Sequence, residues 1–118
     1  MRVIVGNPGE APKVRNILGN LASLQACVGG TLEHFASEGP VDFLANEEGH
    51  INGMAFNRVV RSSNGSLWAI CGPLLVLGAD REAGEFRSLT VAESEHWLAW
   101  LRGKRRDLRD WLVPPENA

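Results

Sequence analysis

Clusters of turn-forming residues divide most of this chain into short apolar runs. Such clusters stand at 6–9 (Gly-Asn-Pro-Gly), at 37–40 (Ser-Glu-Gly-Pro), and at Asn64 and Gly65. An Asn-Gly pair between apolar runs is the strongest short signal for a β-hairpin. Strands bounded by such turns predict a twisted, mainly antiparallel sheet of about five to six strands. The most apolar run contains Pro73 after Gly72, and a proline inside a strand breaks the hydrogen-bonding ladder, so we expect a bulge or a sharp bend there.

A short helix is predicted over residues 20–28. Asn20 can cap its first turn by accepting hydrogen bonds from the exposed backbone amides. Leu21, Leu24 and Val28 then fall on one face at helical spacing, and Gly29 supplies the left-handed residue that ends many helices. The apolar face of this helix should pack on the sheet.

A longer C-terminal helix is predicted over residues 90–113. Thr90 and Glu93 have the spacing of a capping box, in which each side chain accepts a hydrogen bond from the other's backbone amide. The apolar stripe of this helix comprises Trp97, Leu98, Leu101, Leu108, Trp111 and Leu112. Gly103 costs about 1 kcal/mol relative to alanine inside a helix, so it marks a place for a kink or an early end. The fold class that follows is α+β, in a single domain over residues 1–118.

The length and composition agree with one soluble domain. The chain has 118 residues, of which 44% are apolar and 22% are charged, and this is enough for a packed core. A net charge of −2 argues against binding of nucleic acid by bulk electrostatics, which needs a basic excess. No run approaches the roughly 20 apolar residues of a membrane span, so no membrane interaction is expected.

The two cysteines, Cys27 and Cys71, stand in apolar segments without Cys-x-x-Cys spacing and without a nearby pair of histidines. In that setting we interpret them as small buried residues in a reducing cytosol. The apolar run within residues 1–6 is too short for the hydrophobic part of a signal peptide. The expected location is therefore the cytoplasm.

A polar turn follows the predicted strand at residues 41–45. Its residues Asn46, Glu47, Glu48 and Gly49 suit a type I turn that is closed by a glycine in the left-handed region. Asparagine is favoured at the first position because its side chain can bond the backbone two residues on. Turn formation therefore explains Asn46 and Gly49 but requires neither glutamate.

The candidate ligand-binding residues lie in this turn and in the irregular segment after it: Asn46, Glu48, Asn57 and Arg58. An arginine fork binds phosphate or carboxylate through two parallel hydrogen bonds, and asparagine amides bind the polar edges of a ligand. This concentration of donors predicts a site for a small anionic ligand such as a nucleotide. The competing interpretation is turn formation together with surface charge.

A second candidate surface is a row of arginines on the predicted C-terminal helix, which could bind phosphates or a partner. It comprises Arg102, Arg105, Arg106 and Arg109, within an arc of roughly 100°. Charged helix faces more often simply face water, and Glu95 lies on nearly the same side. Trp100 widens the apolar arc of the helix, so we expect part of it to be buried against a second chain in a homo-oligomer.

No catalytic signature is present in the sequence. It contains no Gly-x-Ser-x-Gly elbow, Walker loop or Gly-x-Gly-x-x-Gly motif, and His34, His50 and His96 lack the spacing of metal ligands. We therefore predict no catalytic residue, no metal and no cofactor, and we lean against an enzyme. The remaining enzymatic alternative is a small metal-dependent hydrolase, and its candidate residues are Glu47, Glu48, His50 and Asp80.

The order and spacing of several short motifs carry a resemblance to a known family: Phe43-Leu44-Ala45-Asn46-Glu47-Glu48-Gly49, Asn52-Gly53, Asn57-Arg58, Ile70-x-Gly72, Gly78 and Ser88-Leu89-Thr90. Through them the chain resembles a family of small uncharacterised proteins, catalogued as a domain of unknown function and common in bacterial genomes, phages and mobile elements. The resemblance covers about residues 1–90, and the tryptophan-rich helix after them is not part of it. It implies an α+β fold and a phage or prophage origin, and it supplies no activity and no catalytic residues.

Three functions are compatible with these features. The first is a non-catalytic protein that captures a small anionic, nucleotide-like ligand, which in a phage setting would counter a host defence signal. The second is a protein-interaction or inhibitor module that acts through the C-terminal Trp/Arg helix. The third is the small hydrolase.

Overall fold

Two β-sheets and two helices make up the part of the chain that the computed structural model describes, residues 1–61, 65 and 67–103. The strands of this part are β1 (Arg2–Gly6), β2 (Lys13–Asn16), β3 (Leu32–Glu38), β4 (Val41–Asn46), β5 (Phe56–Arg61), β6 (Leu67–Cys71), β7 (Leu74–Asp80) and β8 (Glu85–Arg87). Its helices are α1 (Leu21–Val28) and α2 (Val91–Leu101). The predicted α+β fold is confirmed.

The larger sheet has six strands. Five follow the order β2-β1-β7-β4-β3, and β8 pairs with β7 beyond the end of β1. The smaller sheet is the hairpin of β5 and β6, in which Arg61 faces Leu67. Every one of these pairings is antiparallel, as predicted. The hairpin expected around Asn64 and Gly65 is therefore confirmed by its flanking strands.

The larger sheet is covered on both faces, which explains why β4 is buried along its whole length. On one face, Leu24 and Val28 of α1 pack into a cluster that also contains Val3 and Val5. On the other face, α2 and the small sheet pack together. The core on that side includes Ile4, Phe43, Ala45, Val60, Ile70, Leu74, Val76, Trp100 and Leu101. The prediction that the apolar face of α1 packs on the sheet is correct.

The break predicted at Gly72 and Pro73 separates the two sheets. β6 ends at Cys71 in the small sheet, and β7 begins at Leu74 in the large one. Gly72 adopts a φ of +89°, a left-handed conformation that glycine reaches without steric cost. The apolar run of the sequence is thus two strands of different sheets joined by a sharp bend.

α2 begins at the predicted capping box. The Thr90 hydroxyl accepts from Glu93 N at 3.0 Å, and the Glu93 carboxylate accepts from Thr90 N at 2.9 Å. The helix ends at Leu101, with Gly103 in the left-handed region at φ +66°, so the early end at this glycine is what occurs. The rest of the predicted helix, residues 104–113, lies outside the described residues. Among the described residues, no helix combines the length and apolar character of a membrane span.

Glu93 gives a prediction about acid stability. The hydrogen bond from Arg87, at 2.8 Å, together with those from Thr90 lowers the pKa of Glu93 to about 2 against the opposing effect of burial. A carboxylate with a lowered pKa stabilises the fold above its ordinary pKa of 4.5, and this contribution disappears as the pH falls towards 2. We expect Glu93→Gln to cost about 1 kcal/mol near neutral pH, given solvent screening, and less in acid. Urea unfolding at about pH 6 and about pH 3 measures this difference, and a cost that does not change with pH would contradict it.

Candidate functional site

The side chain of Asn46 is buried and bonded within the protein. It is 6% exposed, its Nδ2 donates to the carbonyl oxygen of Val28 at 3.1 Å, and its Oδ1 accepts from Glu48 N at 2.8 Å. The second bond is the predicted one to the backbone two residues on. The first joins the end of β4 to the end of α1, so this amide holds a helix against the sheet.

Gly49 is required for a different reason than predicted. Its φ is not among the positive values of the chain, so the expectation of a left-handed glycine at this position is wrong. A Cβ at Gly49 would overlap the backbone carbonyl oxygen of Cys71, which comes from β6. The turn after β4 therefore packs directly on the backbone at the end of the small sheet, and only glycine permits this approach.

Asn57 joins three segments of the fold. Its Nδ2 donates to the carbonyl oxygens of Gly6 at 2.7 Å and Gly72 at 2.9 Å, and its Oδ1 accepts from Arg58 Nε at 3.1 Å. Gly6 ends β1, and Gly72 lies in the bend between the two sheets. The amide thus holds the small sheet against the edge where β1 ends.

Arg58 supports the end of α2. Its Nη1 donates to the carbonyl oxygen of Leu101 at 2.9 Å, where the unpaired carbonyls of a helix concentrate negative charge. Burial lowers the pKa of the Arg58 guanidinium below its ordinary value. This arginine therefore acts as a helix cap supplied by a neighbouring strand, and its side chain stabilises the packing of α2.

The four predicted ligand-binding residues thus differ in whether their side chains bond within the protein. Asn46, Asn57 and Arg58 direct their hydrogen bonds to groups of the protein itself. Glu48 is exposed, and its backbone amide is held by the Asn46 side chain. These contacts support the fold. Turn formation, the competing interpretation, accounts for Asn46. It does not account for Asn57, whose amide bonds the distant carbonyls of Gly6 and Gly72.

The candidate residues of the hydrolase hypothesis lie in two parts of the fold, the turn after β4 and the end of β7. Glu47 and Glu48 are exposed in the turn, and His50 bonds to the backbone of β6. Asp80 accepts from the amides of Glu82 and Ala83, both at 3.1 Å, in the turn after β7. Within the described residues, no group of three or more His, Cys, Asp or Glu side chains is arranged to hold a metal ion.

The two tryptophans of α2, Trp97 and Trp100, pack with the core. Trp100 is 1% exposed and packs edge-on against Phe43, with 5.5 Å between ring centroids. Trp100 therefore belongs to the chain's own core, and the burial of part of this helix against a second chain stays a prediction. Arg102 donates a long hydrogen bond of 3.4 Å to the carbonyl oxygen of Pro12. The other arginines of that row, Arg105, Arg106 and Arg109, lie outside the described residues.

A cavity of about 540 Å³ lies between β2 and α1. Its lining consists of Arg15, Asn16, Ile17, Leu18, Ser23, Ala26 and Cys27. The Ser23 hydroxyl is used locally, since it donates to Asn20 O at 2.8 Å and accepts from Gly19 N at 3.0 Å. The backbone amide of Ile17 donates to Met1 O at 2.9 Å, which fixes the segment after β2. A volume in this range suits a small organic ligand.

An ion-pair network that sequence reasoning missed joins β3, β4 and the turn after β7. The buried Asp42 carboxylate accepts from Ser37 Oγ at 2.8 Å and lies 2.9 Å from Arg81 Nη2 and 3.2 Å from His34 Nε2. Burial raises the pKa of Asp42, but the hydrogen bonds from Arg81 and Ser37 and the attraction of His34 and Arg81 together hold this pKa below its ordinary value. Ser37 Oγ also lies 2.8 Å from His34 Nε2, so the hydroxyl links the imidazole to the carboxylate.

Neither cysteine is fully buried, contrary to the prediction, and both thiols are free. Cys27 lines the cavity beside α1. Cys71 Sγ lies 3.6 Å from His50 Nδ1, a contact that joins residues from the turn and from β6. No short spacing in the sequence signals this pair, because the fold alone brings the two segments together.

Comparison with known proteins identifies the family of this chain. No curated protein and no solved structure matches the chain. The model of one protein family, described as a domain of unknown function (DUF3846), matches residues 1–102. The resemblance to a family of unknown function is confirmed, and the match extends past residue 90 to include α2.

Proposed function

Because the chain belongs to the DUF3846 family, whose description assigns no activity, we propose a function from its own geometry. The protein is a non-catalytic binding protein that captures a small anionic, nucleotide-like ligand. The observation that carries this proposal is the cavity of about 540 Å³ between β2 and α1, which combines a cationic wall with apolar ones. The ligand therefore binds at this cavity and not at the Asn57-Arg58 pair.

The cationic wall comes from the edge strand β2. Lys13 and Arg15 face Val5 and Val3 across the antiparallel pair. Directly opposed residues project from the same face of a sheet, and both valines belong to the cluster beneath α1. The two cations therefore share the face of the sheet that borders the cavity. Among the described residues, the ion pairs are made by other cations, so Arg15 is available to an anion.

The apolar walls suit a planar ring. Leu18 is 87% exposed, and it lines the cavity together with Ile17 and Ala26. Covering such surface with a ligand ring releases about 25 cal/mol for each Å² of apolar area removed from water. The guanidinium of Arg15 together with these apolar side chains matches a phosphate joined to a base.

The lining also supports binding without catalysis. Among the described residues, it includes no carboxylate and no imidazole, the groups that most often transfer protons in enzymes. The biological setting that we propose rests on the resemblance to phage and mobile-element proteins. In that setting the captured ligand is a host signalling nucleotide, and binding would lower its free concentration.

Arg15→Ala tests the proposed site. We expect isothermal titration calorimetry against mononucleotides, cyclic mononucleotides and cyclic dinucleotides to find a ligand for the parent protein. We expect Arg15→Ala to weaken its binding by at least about tenfold, because a charge-assisted contact with the phosphate is lost. The matched control is Arg61→Ala, which removes another exposed arginine on the small sheet and should leave affinity unchanged.

A second readout locates the ligand independently. Because Cys27 lines the cavity, a bound nucleotide should slow alkylation of Cys27 and leave that of Cys71 unaffected. Absence of binding across the whole panel, or equal affinity in the parent and Arg15→Ala, would overturn the proposal.

A further inference from the structure

The pairing of Cys71 with His50 has the geometry of an activated thiol. Cys71 Sγ and His50 Nδ1 are 3.6 Å apart, within hydrogen-bond reach for sulfur. On the other side of the ring, His50 Nε2 lies 2.7 Å from the carbonyl oxygen of Ala69. A nucleophile beside a base, with the base oriented by a third group, is the arrangement by which proteins activate cysteine.

The carbonyl of Ala69 determines which ring nitrogen carries the proton. A carbonyl oxygen only accepts, so His50 Nε2 must be the donor in this hydrogen bond. In the neutral ring, Nδ1 then has the free lone pair and faces the thiol. Cys71 therefore donates its S–H proton towards Nδ1, and transfer of that proton yields a thiolate beside an imidazolium.

The fold holds both partners in place. Cys71 is the last residue of β6 and is followed by the left-handed Gly72, so the strand direction changes directly after the thiol. His50 follows Gly49, whose lack of a side chain lets the turn pack on the Cys71 carbonyl. The close approach of the two backbones therefore brings the imidazole to the sulfur.

The surroundings leave the thiol open to a small reactant. Cys71 is half-buried, and His50 is exposed. Phe56, which faces Cys71 across the small sheet, is 42% exposed, and Ile51, beside His50, is 83% exposed. An exposed apolar border next to a thiol favours reactants with apolar substituents.

We propose that Cys71 is a nucleophilic thiol, activated by His50, that undergoes exchange with small disulfides. His50 Nδ1 takes the thiol proton, and the Cys71 thiolate attacks one sulfur of the disulfide. The S–S bond of the reactant breaks as the new S–S bond to Cys71 forms, and the departing thiolate takes the proton from the imidazolium. Cys71 is oxidised to a mixed disulfide, and half of the small disulfide is reduced to a free thiol.

The test measures the rate at which a chromogenic aromatic disulfide, dithiobis-nitrobenzoate, reacts with single-cysteine proteins. Cys27→Ala leaves Cys71 alone, and Cys71→Ala leaves Cys27, a half-buried thiol on α1, as the matched control. We expect Cys71 to react at least about tenfold faster than Cys27 in the native protein, since general-base assistance contributes factors of this size or larger. The two thiols should react at similar rates in urea. Mass spectrometry identifies the labelled residue.

His50→Ala in the Cys27→Ala background tests the base. The expected result is at least about a tenfold fall in rate, with part of the rate restored by free imidazole in solution. If His50 had only a structural role, added imidazole would not restore the reaction rate of the variant. Equal rates for the two native thiols, an unchanged rate in His50→Ala, or a slow variant that imidazole does not restore would each overturn the proposal. Thermal unfolding verifies that the variants are folded, and His50→Gln, which keeps a donor for Ala69, replaces His50→Ala if that variant unfolds.

Discussion

Replacing Asn57 with alanine is expected to lower the unfolding free energy by about 2–4 kcal/mol. The variant loses two donors to backbone carbonyls, at Gly6 and Gly72, and it leaves Arg58 Nε without its acceptor. Each hydrogen bond contributes about 1 kcal/mol, and an unpaired group inside the protein costs about 1–3 kcal/mol more. Urea denaturation, with the slope checked for two-state behaviour, measures the change.

Two companion variants make this result specific. Asn57→Asp preserves the shape and the acceptor for Arg58, but it removes both donors, so it should lose at least as much stability as the alanine variant. Asn52→Ala removes an exposed amide from the neighbouring turn and should change stability by no more than about 0.5 kcal/mol. If the Asn57→Asp variant were as stable as the parent protein, the contacts with Gly6 and Gly72 would contribute little to stability.

Gly49→Ala is expected to cost about 3 kcal/mol, although it adds a single methyl group. The new Cβ would overlap the carbonyl oxygen of Cys71, and a backbone atom cannot rotate away as a side chain can. The turn must therefore move off the small sheet, which also separates His50 from Cys71. We expect the fast reaction of Cys71 with the aromatic disulfide to slow in this variant, so that stability and thiol reactivity fall together.

Gly6→Ala is the matched control for the substitution at Gly49. Gly6 is buried and its φ is not positive, and the nearest atoms to an added Cβ are 3.9 Å away, at Leu74 and Pro12. A methyl group at that distance makes ordinary contact, so stability should change by less than about 1 kcal/mol. If Gly49→Ala were no more destabilising than Gly6→Ala, the close approach of the turn to β6 would not be a requirement of the fold.

The elements of this fold that sequence predicts well are those governed by neighbouring residues. The caps at Asn20 and Thr90 depend on bonds three residues away, and both form as predicted. The turn residues and the alternation of apolar with polar residues predict most of the strands. What could not be predicted is the pairing of strands that lie far apart in sequence. β4 pairs with β7, although β5 and β6 lie between them in sequence. Such a distant pairing depends on contacts across the whole sheet, which the local sequence pattern does not encode.

The same distinction applies to the candidate site. The sequence identifies Asn46, Asn57 and Arg58 as unusual, but a side chain that binds a ligand and one that binds a distant carbonyl have the same local pattern. Arg58 meets Leu101 from 43 residues away, and Asn57 meets Gly6 from 51. Only the folded chain reveals these partners. The contact of His50 with Cys71 was missed for the same reason, at a separation of 21 residues.

The position of β1 inside the large sheet has a consequence for biosynthesis. This strand is completed early, yet one of its two neighbours, β7, pairs through Ile4 with Val76. A ribosome releases the chain from its first residue onwards, at about 5–20 residues each second. During that interval the free edge of β1 is open to pairing with other chains, since an uncovered strand edge is a template for aggregation. Folding of the sheet therefore waits for the far half of the polypeptide, and a chaperone bound to the nascent β1–β2 hairpin would protect it during the delay.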